Sequence, residues 1–366
     1  MQSKLKTRSI NQAEANFGIS DPKRMKARSL ICAVAILVAS GCANGSSDPY
    51  RTLVGPAFVL ATERAEDFFV SKSEIPKIAV RINGVSGLFM IDTGANVSAL
   101  SQTYARRLGL SGRPGKDRWV RTTVGRSLYS TDFVSDIALG ELKISKSFVV
   151  IVPDLALGPP TEDSALPEVE GLIGADILMR FRSTIDFAAH TIVFHKPDQK
   201  IFPKAEEFVV ARLEVDSRAK TIIMKVSIDG VDGWFEIDTG ANHYGSIFAD
   251  SKFMGILREV SNVPYNSYAG GHIQIISTHL AGGVLKIGDF GTNTGSQFTI
   301  SKKTSPKLRY AKRYIDGYLG STFFLQNELI IDYARMEVRR RGISVHFPEI
   351  GQKETADNRT LVEQPR

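Results

Sequence analysis

From Lys77 to Ile82 polar and apolar residues alternate, Asn83-Gly84 follows, and an apolar run from Leu88 to Ile91 ends on Asp92. A period of two on both sides of Asn-Gly predicts a β-hairpin whose second strand delivers an aspartate. The pattern returns with Ile222 to Ile228, Asp229-Gly230 and Trp234 to Ile237, ending on Asp238. A short helix is expected after each strand, over Gln102 to Leu108 in the first half and Phe248 to Leu257 in the second. Strand-like stretches surround Gly125 and Gly271, and further ones run over 136–143 and 280–289, each with a Leu-Gly or Ile-Gly corner. The polar, Pro-bearing stretches 153–170 and 292–312 read as surface loops. The chain is therefore expected to be mainly β.

The repetition extends beyond pattern to residue identity. Phe89-Met90-Ile91-Asp92-Thr93-Gly94-Ala95-Asn96 recurs as Phe235-Glu236-Ile237-Asp238-Thr239-Gly240-Ala241-Asn242, a spacing of 146 residues. The same spacing relates Asn83-Gly84 to Asp229-Gly230, Gly125 to Gly271, Gly171 to Gly317, Gly174 to Gly320, and Ile185-Asp186 to Ile331-Asp332. A chance match of a short motif would not hold register with so many landmarks. One supersecondary unit used twice, with no net insertion between landmarks, is the expectation.

A single aspartate activates water poorly, whereas two carboxylates sharing a proton can serve together as base and acid. The two Asp-Thr-Gly triplets are each followed by two apolar residues and a glycine ahead of a short helix. These are Leu172-Ile173-Gly174-Ala175-Asp176-Ile177-Leu178 and Tyr318-Leu319-Gly320-Ser321-Thr322-Phe323-Phe324. With both signatures in both halves, residues 75–340 resemble the pepsin and retropepsin aspartic peptidases of bacteria, here as two tandem retropepsin-type lobes. The resemblance implies two homologous β-barrel lobes with the active-site cleft between them, and Asp92 and Asp238 as the catalytic pair. It implies that Thr93 and Thr239 brace the opposite loop and that Gly94 and Gly240 permit close approach of the loops. It also implies an extended protein or peptide substrate held under mobile hairpins, with Gly125, Gly270 and Gly271 as flap candidates and no cofactor. Tips at matched positions in both halves look more like a retropepsin than like pepsin.

Other conspicuous residues have plainer readings. Asn96 and Asn242 orient loop ends, His243 packs locally, and Asp186 and Asp332 terminate strands and satisfy turns. Arg339-Arg340-Arg341 reads as a solvated strand face, and Trp119 and Trp234 as core or rim packing. His-Glu-x-x-His is absent, and no metal site is expected.

Composition changes the picture mainly at the N-terminus. Residues 1–41 carry seven of the Lys and Arg residues against Glu14 and Asp21, so most of the formal charge of +7 belongs to this segment and no nucleic-acid partner is inferred. Lys23, Arg24, Lys26 and Arg28 precede the apolar run Leu30 to Ala39, the order of an export signal, whether translation starts at Met1 or Met25. Ala39-Ser40-Gly41-Cys42 resembles a bacterial lipobox, departing from it at Ala39, where leucine is usual. Cys42 is thus the expected lipidation site, and membrane contact through it the expected anchor. Ala43 after it is compatible with sorting to the periplasmic side of an outer membrane. The chain beyond Cys42 has no cysteine, which excludes disulfides and thiolate chemistry there.

The expected organisation is a lipoprotein-type signal peptide over 1–41 and a tether with an N-terminal segment over 42–74. A first lobe then spans 75–195, a connection 196–220, a second lobe 221–345 and a polar tail 346–366. Internal pairing would make a monomer sufficient for activity. The function expected is that of an exported aspartic endopeptidase. Two other readings keep the fold: a catalytically silent lipoprotein that binds extended peptides in the same cleft, and a self-processing enzyme whose residues 43–74 cover it.

Overall fold

The computed structural model describes residues 37–38, 58–60, 65–70, 75–112, 117–122, 125–158, 160–161, 164–196, 200–201, 206–215, 220–269, 272–281, 283–293, 298–301, 309–310 and 313–342. Cys42 and the tail 346–366 lie outside them, as does all of the leader except 37–38. The fold is mainly β, with one 10-stranded and one 15-stranded sheet holding most of the strands.

Each half opens with the predicted hairpin. Strands Pro76–Ile82 and Val85–Ile91 pair in register from Lys77↔Met90 to Ile82↔Val85, and Ile222–Ile228 and Val231–Asp238 repeat this. Asn83 and Gly84 have φ of 48° and 82°, and Asp229 and Gly230 have 49° and 82°. Two consecutive positive φ values match the right-handed twist of the flanking strands, which is why Asn-Gly and Asp-Gly occupy these turns. Alternation places Ile78, Val80 and Ile82 in the core, but Lys77, on the expected polar side, is only 2% exposed. Its ammonium lies 2.6 Å from Glu168, a long-range partner that a local pattern does not reveal.

Both halves then follow the same strand order. Gly171–Ile173 runs parallel to Val85–Ile91 and antiparallel to Ala99–Ser101, which in turn lies parallel to Leu142–Val152. Gly317–Gly320 likewise runs parallel to Val231–Asp238 and antiparallel to Gly245–Phe248, which lies parallel to Phe298–Ser301. The apolar-apolar-glycine segment is thus threaded directly behind each Asp-Thr-Gly loop. Ser101 caps an α-helix over Gln102–Arg107, its Oγ accepting from Tyr104 N at 3.0 Å. The second half retains the cap, Ser251 Oγ accepting from Phe253 N at 3.3 Å, but forms only a 3₁₀ turn over Lys252–Gly255. Gly255 disfavours further helical turns there.

The constant spacing of the motifs conceals compensated insertions. Around the hairpin tips Thr122 pairs with Gly125 while Ala269 pairs with His272, and the next corners turn on Gly140 and Gly288. The second half is therefore one residue longer by the tip and two longer by the corner, and recovers the original register before Gly317. Gly125 consequently pairs with Thr122 at the start of the returning strand, the place that His272 takes in the second half. Segments read as loops also carry strands, including Ser164–Pro167, Phe290–Asn293 and Phe298–Ser301. Within the expected connection, Glu207–Val215 is a strand of the 15-stranded sheet.

The two halves meet in one sheet. Strands Glu207–Val215, Glu337–Arg341, Leu329–Asp332, Thr184–Asp186, Thr191–Val193 and Ala65–Asp67 lie side by side, and Ile185 pairs with Ile331. These isoleucines occupy the same position of the two repeats, so a local two-fold axis passes between them. Above this sheet one apolar core runs across both halves, with Phe187 and Phe324 ring centroids 5.6 Å apart. Arg339, in the middle of the shared sheet, is not solvated: it is 2% exposed and ion-paired with Glu207 at 3.2 Å and Glu337 at 2.9 Å.

Candidate active site

The two-fold relation brings the Asp-Thr-Gly loops face to face. Thr93 N donates to Thr239 Oγ1 at 3.0 Å, and Thr239 N donates to Thr93 Oγ1 at 3.0 Å. Each hydroxyl then passes its own proton across the interface, Thr93 Oγ1 to Ile237 O at 2.8 Å and Thr239 Oγ1 to Ile91 O at 2.6 Å. Four buried bonds lock the loops in a single geometry, each threonine being both acceptor and donor. Valine has the same shape but can do neither.

Gly94 and Gly240 lie against the opposing carboxyls. A Cβ on Gly94 would fall 2.6 Å from Asp238 Cγ, and one on Gly240 would fall 2.6 Å from Asp92 Cγ. Behind the loops, a Cβ on Gly174 would meet Ala95 O at 2.8 Å, and one on Gly320 would meet His243 O at 2.0 Å. Here the sequence signature reports contact between backbones, not freedom of dihedral angle.

Asp92 and Asp238 are buried, and their carboxyl groups are within hydrogen-bonding reach of one another. Asp92 Oδ1 accepts from Gly94 N at 2.9 Å and Ala95 N at 3.0 Å, and Asp238 Oδ1 accepts from Gly240 N at 3.1 Å. Among the described residues no N–H or hydroxyl donates to the buried Asp92 Oδ2, so a bond between the two carboxyls requires a proton on one of them. Burial raises the pKa of Asp92 well above the ordinary carboxylate range, and the charge of Asp238 adds to this. Burial also raises Asp238, to about 7, against the lowering effect of the Gly240 N–H, the Asp92 carboxyl and the Ala241 N–H. These shifts belong to the pair: neither carboxyl ionises without changing the other. The arrangement can hold one proton and one negative charge close together, as acid-base chemistry on a polar bond requires.

Other residues noted in the sequence fall around this centre. Asn96 is buried at the end of the first loop. His243 Nε2 lies 3.1 Å from Tyr318 Oη and 3.2 Å from Ser246 Oγ, a local polar network instead of a second base. Asp186 Oδ1 accepts from Ala188 N and Ala189 N, and Asp332 Oδ1 from Arg335 N, so both serve turns. Asp186 and Asp332 also pair with Arg341 and Arg335. Hairpins Arg118–Thr122/Gly125–Leu139 and Arg258–Ala269/His272–Ala281 occur at corresponding places, while Gly270, Gly271 and residues 123–124 of the first tip lie outside the described residues. Trp119 on the first hairpin is 51% exposed, not core.

Glu170 and Asp316 were not singled out in the sequence, yet they perform the same task in each half. Glu170 Oε2 accepts from Leu88 N at 2.6 Å and Asp316 Oδ2 from Trp234 N at 3.1 Å, each fixing the strand that leads to Asp92 or Asp238. Arg107 at 3.0 Å and Lys252 at 3.8 Å complete these contacts. Carrying the repeat spacing one residue upstream of Gly171 and Gly317 would have found them.

Comparison with known proteins finds likenesses over part of the chain. Residues 78–177 match the family model described as aspartyl protease, a segment that contains Asp92 and the first apolar-apolar-glycine signature but ends before Asp238. Among solved structures, a retropepsin-like aspartic protease from Rickettsia conorii is 20% identical, with a TM-score of 0.27 over 37% of this chain and 91% of that chain. No curated protein matches. The site thus joins an aspartyl protease-like segment to a second copy of its own loop.

Proposed function

We propose that the chain is an aspartic endopeptidase in which Asp92 and Asp238 share one proton and activate water against a peptide bond. The observation that carries this reading is the pair of buried carboxyls within hydrogen-bonding reach of one another, cross-braced by Thr93 and Thr239. With one proton between them, the ionised carboxyl accepts a proton from water as the oxygen attacks the scissile carbonyl. The protonated carboxyl donates to that carbonyl oxygen, favouring the tetrahedral intermediate. Its collapse, with proton transfer to the leaving nitrogen, releases an amine and a carboxylic acid and returns the shared proton. No covalent acyl-enzyme is formed. The two hairpins are the candidate flaps, with Gly125, Gly270 and Gly271 at or beside their tips.

The reading extends to the cell envelope. The basic-then-apolar leader and Ala39-Ser40-Gly41-Cys42 support export and lipidation of Cys42, with the folded part on the periplasmic side, anchored to the outer membrane. A Cys42→Ser variant would then leave the membrane fraction; equal membrane retention would count against the anchor. Both carboxylates come from one chain, so a monomer suffices.

Mass-spectrometric profiling of a peptide library, incubated with the wild type or with Asp238→Asn, tests the activity. The expected outcome is internal cleavage by the wild type and at least a thousandfold slower cleavage by the variant. Identical profiles would reject the proposal, and peptide binding by both without cleavage would favour a silent binding protein.

A further inference from the structure

The loop that follows Asp238 carries a polar network that the first half lacks. His243 Nε2 lies 3.2 Å from Ser246 Oγ and 3.1 Å from Tyr318 Oη. Ser246 Oγ bonds to Thr299 Oγ1, which donates to Gly245 O at 3.4 Å. At the motif spacing of 146, His243, Ser246 and Tyr318 correspond to Val97, Leu100 and Leu172. Thr299 pairs with Ser246 as Ile151 pairs with Leu100. Four apolar side chains of one half are thus an imidazole and three hydroxyls in the other. Ser246, Thr299 and Tyr318 are buried and His243 is half-buried, a placement that costs stability unless the polar atoms are bonded. The apolar quartet of the first half carries no such cost.

Counting protons gives the bonds a direction. Thr299 gives its one hydroxyl proton to Gly245 O, so Ser246 is the donor in the bond to Thr299. Ser246 must then accept from His243, whose Nε2 carries the proton. The bonds run from His243 through Ser246 and Thr299 back to Gly245 O, and so tie residues 243–246 to strand Phe298–Ser301.

The loop after Asp92 is held by other means. Ser98 donates to Asp176 Oδ1 from N at 2.9 Å and from Oγ at 2.7 Å, and its Oγ accepts from Gly174 N at 3.1 Å. The corresponding residues are Tyr244 and Thr322, and Tyr244 instead packs its ring against Phe298 and Phe323, with centroids 5.3 and 5.1 Å away. The His243 network stands close to the carboxyl it would serve: His243 O abuts Gly320, and Gly320 is the cross-strand partner of Asp238. We propose that His243, with Ser246, Tyr318 and Thr299, positions the Asp238 loop, doing in the second half what Ser98 and Asp176 do in the first. It acts through Gly320 and the loop backbone and does not touch the reacting atoms. The inference rests on the peptidase reading for its effect on rate, but not for its effect on the loop.

Two variants of the full chain are compared with the wild type on one neutral peptide: His243→Val, which introduces the residue of the first half, and His243→Gln, whose side-chain N–H can reach the same hydroxyls. His243→Val is expected to lower kcat about tenfold and to change KM by less than about twofold, while His243→Gln recovers most of the loss. Hydrogen–deuterium exchange read by mass spectrometry supplies an arm independent of turnover. Amides of 239–246 should exchange about tenfold faster in His243→Val than in the wild type or His243→Gln, with those of 93–100 unchanged. Ser246→Ala, which cuts the network one bond further on, should reproduce both effects. An unchanged kcat, equal losses in the valine and glutamine variants, a change confined to KM, or unaltered exchange over 239–246 would overturn the inference. Failure of the wild type to cleave any peptide would overturn the peptidase reading instead, and the exchange arm alone would then decide whether the network holds the loop.

Discussion

At the scale of single residues, the decisive feature is that two buried carboxyls must share a proton, and this has a consequence for stability as well as for catalysis. Burial raises Asp238 from 3.8 to about 7 in the folded chain. A carboxyl that binds its proton more tightly when folded stabilises the fold below its unfolded pKa. That contribution is lost as pH rises from about 4 through about 7. Asp238→Asn removes the titration while keeping a donor for Asp92. The variant is therefore expected to melt close to the wild type at pH 4 and to be the more stable of the two at pH 8, by on the order of 2–4 kcal/mol. Thermal denaturation across that range measures the crossover, and a difference independent of pH would contradict the shared proton. Much of this site was legible in the sequence, because the Asp-Thr-Gly triplet is short, contiguous and repeated. Lys77 and Arg339 were not, because a buried cation depends on carboxylates far along the chain, Glu168 in one case and Glu207 in the other.

At the scale of elements, the threonine brace and the glycine behind it turn two loops into one rigid unit. Thr239→Val would delete the bond to Ile91 O and leave the buried Thr93 N–H without its acceptor. The expected cost is about 2–4 kcal/mol in urea denaturation, with cleavage reduced far more than substrate binding. Thr239→Ser should recover most of both, and an equally damaged serine variant would show that the methyl contact matters more than the hydroxyl. Hairpin turns were legible because Asn-Gly and Asp-Gly demand positive φ. The register of the hairpins that follow was not, because extra residues in the second half are offset before Gly317, and equal spacing between motifs says nothing about what happens between them. The strand Phe298–Ser301 was not legible for a related reason: its parallel partner, Gly245–Phe248, lies about fifty residues away and supplies the order that local composition lacks.

For the whole molecule, the shared sheet is the structural commitment. Thr184–Asp186 of the first half pairs with Leu329–Asp332 of the second, and Ile185 faces Ile331 across the local axis. The halves should therefore unfold together. Calorimetry is expected to give one transition with matching calorimetric and van 't Hoff enthalpies, and Ile331→Ala, fully buried in that sheet, to lower it by about 2–4 kcal/mol without splitting it. Two well-separated transitions would mean that the sheet does not couple the halves. Duplication was plain from the sequence, yet the mixed sheet was not, since a boundary drawn between repeats assigns Thr184–Val193 to the first half while hydrogen bonding places these strands beside the second.

The pH dependence of kcat/KM on a single neutral peptide bears most directly on the claim that two loops of one chain form one acid-base pair. Chemistry that needs one proton on the pair predicts a profile that fails at both ends. Activity is lost on the acid side when both carboxyls are protonated and on the alkaline side when both are ionised, with both limbs displaced above the ordinary carboxylate value. Cleavage should therefore persist at about pH 6, where isolated aspartates would be fully ionised. It should be absent from Asp92→Asn and Asp238→Asn at every pH. A wild-type profile already extinguished at about pH 5, or one that either variant reproduces, would contradict it.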